Sequence, residues 1–408
     1  MIRVAVDDLE PGMVLATPLP HPNQPRIALL KADYRLEPDT IEQLRKFNFR
    51  FVWIQHPGFD FLDSQIGSTI PESRAGLYHG IKTSFTGIAH RSAGAFNLQE
   101  YRTTISNMIL ALVANGQNSV WAERIMEDPE ELFSHSANVA YLALVVGMSL
   151  REYIWTERRY TSIADAADLT NLGIGAMLHD LAKLTMPPEI RHCHGFEKPV
   201  DLDLYRQHPE RGFNALRGRI DPTAAAVVLH HHQRFDGEGF PKLIRKDNER
   251  ISDGIKGHRI HIFSRIVAAV NTLDGLMNAA HRRGKPTIAA LASMQSPAFS
   301  GAFDPVVLDA ALRCIPPFAL GTCVTLSDGR RAVVVDLRPV TPCQPKVQVI
   351  NAGATPEDPA GEELDLAEPG APVITAEGPR SVREYLYALP EVAAADDAPQ
   401  PQPVQPTR

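Results

Sequence analysis

Cysteine is scarce in this 408-residue chain: Cys193, Cys314, Cys323 and Cys343 stand apart, with no Cys-x-x-Cys pair. That spacing excludes a zinc ribbon and a disulfide scaffold and fits a reducing cytoplasm. A cationic excess is missing too. Lys and Arg number 41 against 48 Asp and Glu, a formal net charge of −7, so no nucleic-acid polymer is expected as a partner. No uninterrupted apolar run reaches the ~18 residues of a spanning helix. The longest lies near Val139–Met148, and no membrane partner is expected. The opening MIRVAVDDLEPGM is acidic and broken by Pro11, unlike a signal peptide. Apolar residues at 44% and charged residues at 22% exclude a wholly disordered chain. The length predicts two or three domains.

The pattern along the chain is mainly α, flanked by two small domains. Residues 1–64 read as a small α/β domain: MIRVAVDDL and MVLATPL alternate like strands, PDTIEQLRKFN carries a helix start, and FRFVWIQ is rich in β formers. Residues 65–97, rich in Ser, Gly and His, read as a linker with some helix. From 98 to 318 the apolar spacing is helical, as in ELFSHSANVAYLALVVGMSL and GIGAMLHDLAKL, and residues 252–280 read as one long amphipathic helix. Residues 319–376 change period. GTCVTLSDGRRAVVVDL is two strands around Ser-Asp-Gly and KVQVI a third, giving a small β barrel or sheet. Residues 377–408 form a C-terminal segment ending in a Pro/Gln-rich tail expected to be disordered.

Histidine is what the chain has in quantity, 15 in all. Glu131 and His135, four apart, share a helical face. His179 and Asp180 are adjacent in an apolar helix, and burying a carboxylate is costly unless it is paired or metal-bound. Lys183 can neutralise Asp180 or reach a phosphate. His208 opens HPERGFNAL, and VVLHHHQRFDGEGFP sets His230, His231 and His232 before a glycine-rich turn. Mixed His and carboxylate ligands suit Fe, Mn or Zn. The ligand supply exceeds one ion, so two or three divalent metals are expected. Such clusters clamp a phosphodiester and activate water, which makes phosphate-ester hydrolysis the expected reaction class.

Taken together, HSANVAYLA, LHDLAK, HPERG, HHHQRFDGEGFP, FSRIVAAVNTLDGL and FDPVVLDAAL, in that order, resemble the HD-GYP family of metal-dependent cyclic di-GMP phosphodiesterases. The stretch PGMVL…LRKFNFRFVWI resembles the small domain often found ahead of HD-GYP domains. The resemblance implies an HD-type helical bundle over 98–318. It places metal ligands at Glu131, His135, His179, Asp180, His208, His231, His232 and Asn271, with Fe or Mn as the metals. It implies that Asp180, Lys183 and Asp274 serve catalysis and that Lys183, Arg282 and Arg283 bind substrate. It further implies cyclic di-GMP as ligand, hydrolysed to pGpG and on to GMP, diguanylate cyclase (GGDEF) proteins as candidate partners, a homodimer as candidate assembly, and a cytoplasmic location.

Three departures from the family pattern stand out. Gln233 replaces the Glu after the two His, Phe240 replaces the Tyr of Gly-Tyr-Pro, and Asn271 stands where a metal-binding Asp is expected, with Asp274 one turn on as a partial substitute. Two readings follow: an active phosphodiesterase, or a decayed domain that binds cyclic di-GMP or a diguanylate cyclase without turnover. His230 is read as a spare helix residue, and His192, Cys193 and His194 as loop residues outside the site.

Overall fold

The computed structural model describes residues 1–389 apart from 22–23, 48, 67–68, 90–96, 117–119, 121–130, 159–161, 192–200, 243–254, 279–284 and 352–360. The Pro/Gln-rich tail, most of the charged stretch after Lys242, the His192–Cys193–His194 group, Arg282 and Arg283 therefore lie outside the described residues.

The N-terminal part pairs β1 (Ile2–Ala5) antiparallel with β4 (Phe51–Ile54), with a hairpin of β2 (Leu19–His21) and β3 (Gln24–Leu30) and helix α1 (Pro38–Lys46) between them. The C-terminal part is one antiparallel sheet of six strands, β5 (Cys323–Leu326), β6 (Arg331–Asp336), β7 (Lys346–Val349), β8 (Glu363–Asp365), β9 (Ile374–Glu377) and β10 (Arg380–Ser381), in the order β10-β9-β5-β6-β7-β8. Gly329, at φ 87°, makes the β5–β6 turn. The segment from 377 is thus part of the sheet up to Ser381, and Val382 is buried beneath it.

The expected separation of 1–64 from 319–376 does not hold. Val4, Leu15, Leu44 and Phe59 share one core with Leu320, Cys323 and Val333. Arg3, buried, bridges Thr322 in parallel register, donates to its hydroxyl at 3.2 Å and lies 3.5 Å from Glu377. Size is the physical context: about 60 residues are marginal alone, and the shared core adds to the apolar surface they bury.

The helical body is built from α2 (Thr69–Ala89), α3 (Leu98–Asn115), α4 (Leu132–Ser149), α5 (Arg151–Glu157), α6 (Thr170–Leu178), α7 (His208–Leu216), α8 (Pro222–His230), α9 (Ile262–Met277) and α10 (Pro305–Cys314). The helix expected within the linker 65–97 is α2, and it is longer and more deeply packed than a linker requires. Leu77, Ile81 and Phe85, at helical four-residue spacing, are fully buried in the main core, and the small polar residues between them mask the period. At the centre runs α4, buried at every position from Leu132 to Gly147. Its 18 residues average hydropathy 1.3, long and apolar enough to cross a membrane, yet 89% of them are buried inside the protein. The long helix expected over 252–280 is shorter: His261 Nδ1 accepts the Phe263 N–H as N-cap of α9, which ends at Met277.

Candidate metal centre

The chain does not run through His179 and Asp180 as one helix. Helix α6 ends at Leu178, Asp180 adopts φ −104° and ψ 9°, and Leu181–Thr185 forms a 3-10 turn. That break turns both side chains toward one point, and the tight turn brings Lys183 over Asp180, with Nζ donating to Oδ2 at 2.7 Å.

Three histidines use one local device. A helix leaves its last carbonyls without an intrahelical partner. His179, His208 and His231 each donate Nδ1–H to the carbonyl three residues back, those of Ala176 (2.8 Å), Tyr205 (2.6 Å) and Val228 (2.9 Å). Each Nε2 then points inward as a lone pair. Gly175 permits the crossing that joins two of them. A Cβ there would lie 2.7 Å from Val227 Cβ, and this close approach of α6 to α8 sets the His179 and His231 rings 4.9 Å apart.

His135 is locked differently. Its Nδ1 contacts Asp274 Oδ2 at 2.6 Å, so Nε2 again faces inward. Asp274 Oδ1 accepts from Asn138 at 2.7 Å and Asn278 at 3.0 Å, and Arg74 of α2 donates to Asn138. Asp274, expected to serve catalysis, is buried behind His135 with both oxygens engaged, a placement suited to orienting that ring.

Asp180 lies between the two halves. Oδ2 is 3.5 Å from His135 Nε2 and 3.4 Å from His179 Nε2; Oδ1 is 3.1 Å from His208 Nε2 and 3.6 Å from His231 Nε2. The nitrogens also meet in pairs, 3.2 Å for His135–His179 and 3.0 Å for His208–His231. In the His208–His231 pair both nitrogens present lone pairs, which repel at that distance unless a cation separates them. Oδ1 is buried and makes no hydrogen bond among the described residues. Donors bound at ~2.1 Å to one ion stand ~3.0–3.4 Å apart at octahedral or tetrahedral angles. The residues therefore fit divalent cations, in two groups sharing Asp180: His135, His179 and Asp180, and Asp180, His208, His231 and His232.

The electrostatics of the His208 half agree with that fit. Burial lowers the pKa of His208 and His232 and takes His231 down to about 3, which keeps these imidazoles neutral and able to ligate. Burial alone would raise Asp180, but the Lys183 charge beside it holds it well below the usual range, so it stays a carboxylate. Burial also opposes charge on His135, but the hydrogen bonds it donates to the Asp180 and Asp274 carboxylates outweigh that and raise the pKa, so a cation there would displace a proton from Nε2.

The other expected residues are placed as follows. Glu131 belongs to neither group. It precedes α4 with φ 36°, and its carbonyl takes the His135 N–H at 2.8 Å. The same-face argument fails because Glu131 is not in the helix. Asn271 is half-buried on α9 one turn before Asp274. Lys183 is buried against Asp180, with its Nζ 5.2 Å from the Tyr205 ring centroid. Gln233 donates to Pro241 O at 2.7 Å and fastens the turn. In that turn Gly239 has no room for a Cβ, which would lie 2.4 Å from His232 O. Phe240 stacks on His232, centroids 4.5 Å apart at 17°. His230 ends α8 and stands in neither group. Sequence reasoning missed Asn138, a polar residue in an otherwise apolar helix and so detectable, and Arg74 and Tyr205, which carried no signal.

Comparison with known proteins places this geometry. Residues 161–307 match the family model described as HD domain. A cyclic di-GMP phosphodiesterase of Pseudomonas aeruginosa is 24% identical over 250 residues, 60% of this chain and 54% of that protein. A cyclic di-GMP phosphodiesterase response regulator of Xanthomonas campestris pv. campestris is 29% identical over 143 residues, 34% of this chain and 35% of that protein. A 3'3'-cGAMP-specific phosphodiesterase of Vibrio cholerae is 28% identical over 102 residues, 24% of this chain and 17% of that protein. The chain thus spans about half or less of the length of these curated relatives.

Proposed function

We propose, on the premise that the helical body of this chain is an HD domain of the HD-GYP family, that it hydrolyses cyclic di-GMP to pGpG, and onward to GMP, in the cytoplasm. The observation that carries the reading is Asp180, one carboxylate with an imidazole pair at each oxygen. Such a carboxylate joins two cation positions. Divalent ions there, Fe or Mn as the resemblance implies, would polarise the phosphodiester and lower the pKa of water. The protein's own part is to orient the ligands through Ala176, Tyr205, Val228 and Asp274, to keep the imidazoles neutral by burial, and to hold Lys183 beside the shared carboxylate. Retained ligands at six positions favour turnover.

One observation favours the second reading. Glu131 stands outside both groups, which leaves the His135 half with fewer carboxylates and suits a domain that binds cyclic di-GMP, or a diguanylate cyclase, without hydrolysis. The test is turnover by anaerobically purified, Mn- or Fe-loaded protein offered cyclic di-GMP and 3'3'-cGAMP separately. Release of pGpG from cyclic di-GMP is the expected result. Hydrolysis of 3'3'-cGAMP alone would reassign the substrate. Tight binding of cyclic di-GMP without product would establish the second reading.

A further inference from the structure

Four histidines of the centre are locked through Nδ1, three by carbonyls and His135 by a carboxylate. His232 has neither. Among the described residues, the hydrogen bond that reaches it joins its Nε2 to the Tyr205 hydroxyl at 3.4 Å. Phe240 covers one face of the imidazole and brings no hydroxyl. Tyr205 meets the rest of this half of the site as well. Its carbonyl accepts from His208 Nδ1 at 2.6 Å, its ring stands edge-on to His208 with centroids 5.0 Å apart, and the Lys183 ammonium lies 5.2 Å from its centroid. One side chain thus contacts two metal-ligand candidates and the cation that neutralises the shared carboxylate.

We propose that Tyr205 is a positioning residue of the metal centre, its hydroxyl fixing His232 and its ring holding the Lys183 ammonium beside Asp180. This rests on the metal-centre reading above. As an acceptor, the phenol oxygen does for His232 what the carbonyls do for the other histidines: it takes one ring N–H and leaves the opposite lone pair for an ion. The ring contributes separately, because a cation over a buried aromatic face is held there electrostatically.

The test is calorimetric titration of Mn(II) into metal-stripped full-length protein, with thermal melts of the same metal-free samples. Tyr205→Phe keeps the ring and the backbone carbonyl. It should weaken one Mn(II) binding event roughly tenfold while the metal-free melting temperature stays at the wild-type value. Tyr205→Leu should weaken binding further, because Lys183 also loses its ring. Wild-type affinity in Tyr205→Phe would overturn the proposal. So would an equal loss in every binding event together with a lower metal-free melting temperature, the mark of a packing residue. Wild-type protein that takes up no Mn(II) would overturn the centre itself, and this role with it.

Discussion

Asp274 on α9 accepts a hydrogen bond from His135 Nδ1 on α4 at 2.6 Å, across 139 positions of sequence. The contact sets the tautomer of His135 and ties two core helices at the centre, and behind it Asn138 and Arg74 extend the chain of polar contacts to α2. Asp274→Asn keeps the shape and removes the charge. It should cost about tenfold or more in metal affinity, read by competition with a chelator of known strength. Unchanged affinity would mean that His135 needs no carboxylate behind it.

Lys183 and Asp180 form a buried pair in the metal-free protein. Lys183→Gln leaves the carboxylate uncompensated, which should cost about 3 kcal/mol of stability without metal. Divalent cations replace the lost charge, so added Mn(II) should raise the melting temperature of the variant more than that of wild type. Equal metal-induced shifts in the two proteins would contradict the pairing.

Asn271 lies half-buried one turn from Asp274. Asn271→Asp changes one neutral amide to a charge of nearly the same size. Unit charges at 4 Å and an effective dielectric near 20 attract by ~4 kcal/mol. A net ~1.4 kcal/mol after desolvation is a tenfold gain in metal affinity. Turnover of cyclic di-GMP by metal-limited protein should rise accordingly, and excess metal should narrow the gap. A variant that binds more metal and stays inactive would place the defect in substrate binding.

A pH prediction follows from His261, whose Nδ1 lone pair caps α9. Burial, then Arg158 and Arg265, depress its pKa to about 4. The unfolded chain therefore binds the extra proton between about 6.5 and 4, and stability falls as pH falls through that window. With partial solvent screening the contribution is on the order of 1–2 kcal/mol. His261→Asn keeps a capping acceptor that does not titrate. Melts of metal-free protein between pH 7 and 5 should show a shallower decline in the variant, and parallel curves would remove His261 from the account.

What was legible in the sequence was what lies close together in it. His179–Asp180–Lys183 and His231–His232 announce themselves because polar and ionisable residues interrupt apolar helices at short spacing. The role of Asp274 was not legible, since its partner His135 comes from a distant helix and only packing brings them together. The shared face of Glu131 and His135 supposes a helix that includes Glu131, and the helix begins one residue later, at Leu132. The union of β1 with the C-terminal sheet was hidden for a similar reason: Arg3 and Thr322 are 319 positions apart, and no local pattern records a shared core.

The central claim is that Asp180 joins two cation positions. Metal analysis of anaerobically purified wild-type protein beside Asp180→Ala tests it most directly. Wild type should carry about two ions per chain, and the variant should lose nearly all metal while keeping the helical signature in circular dichroism. Asp180→Ala protein that keeps the wild-type metal content would contradict it.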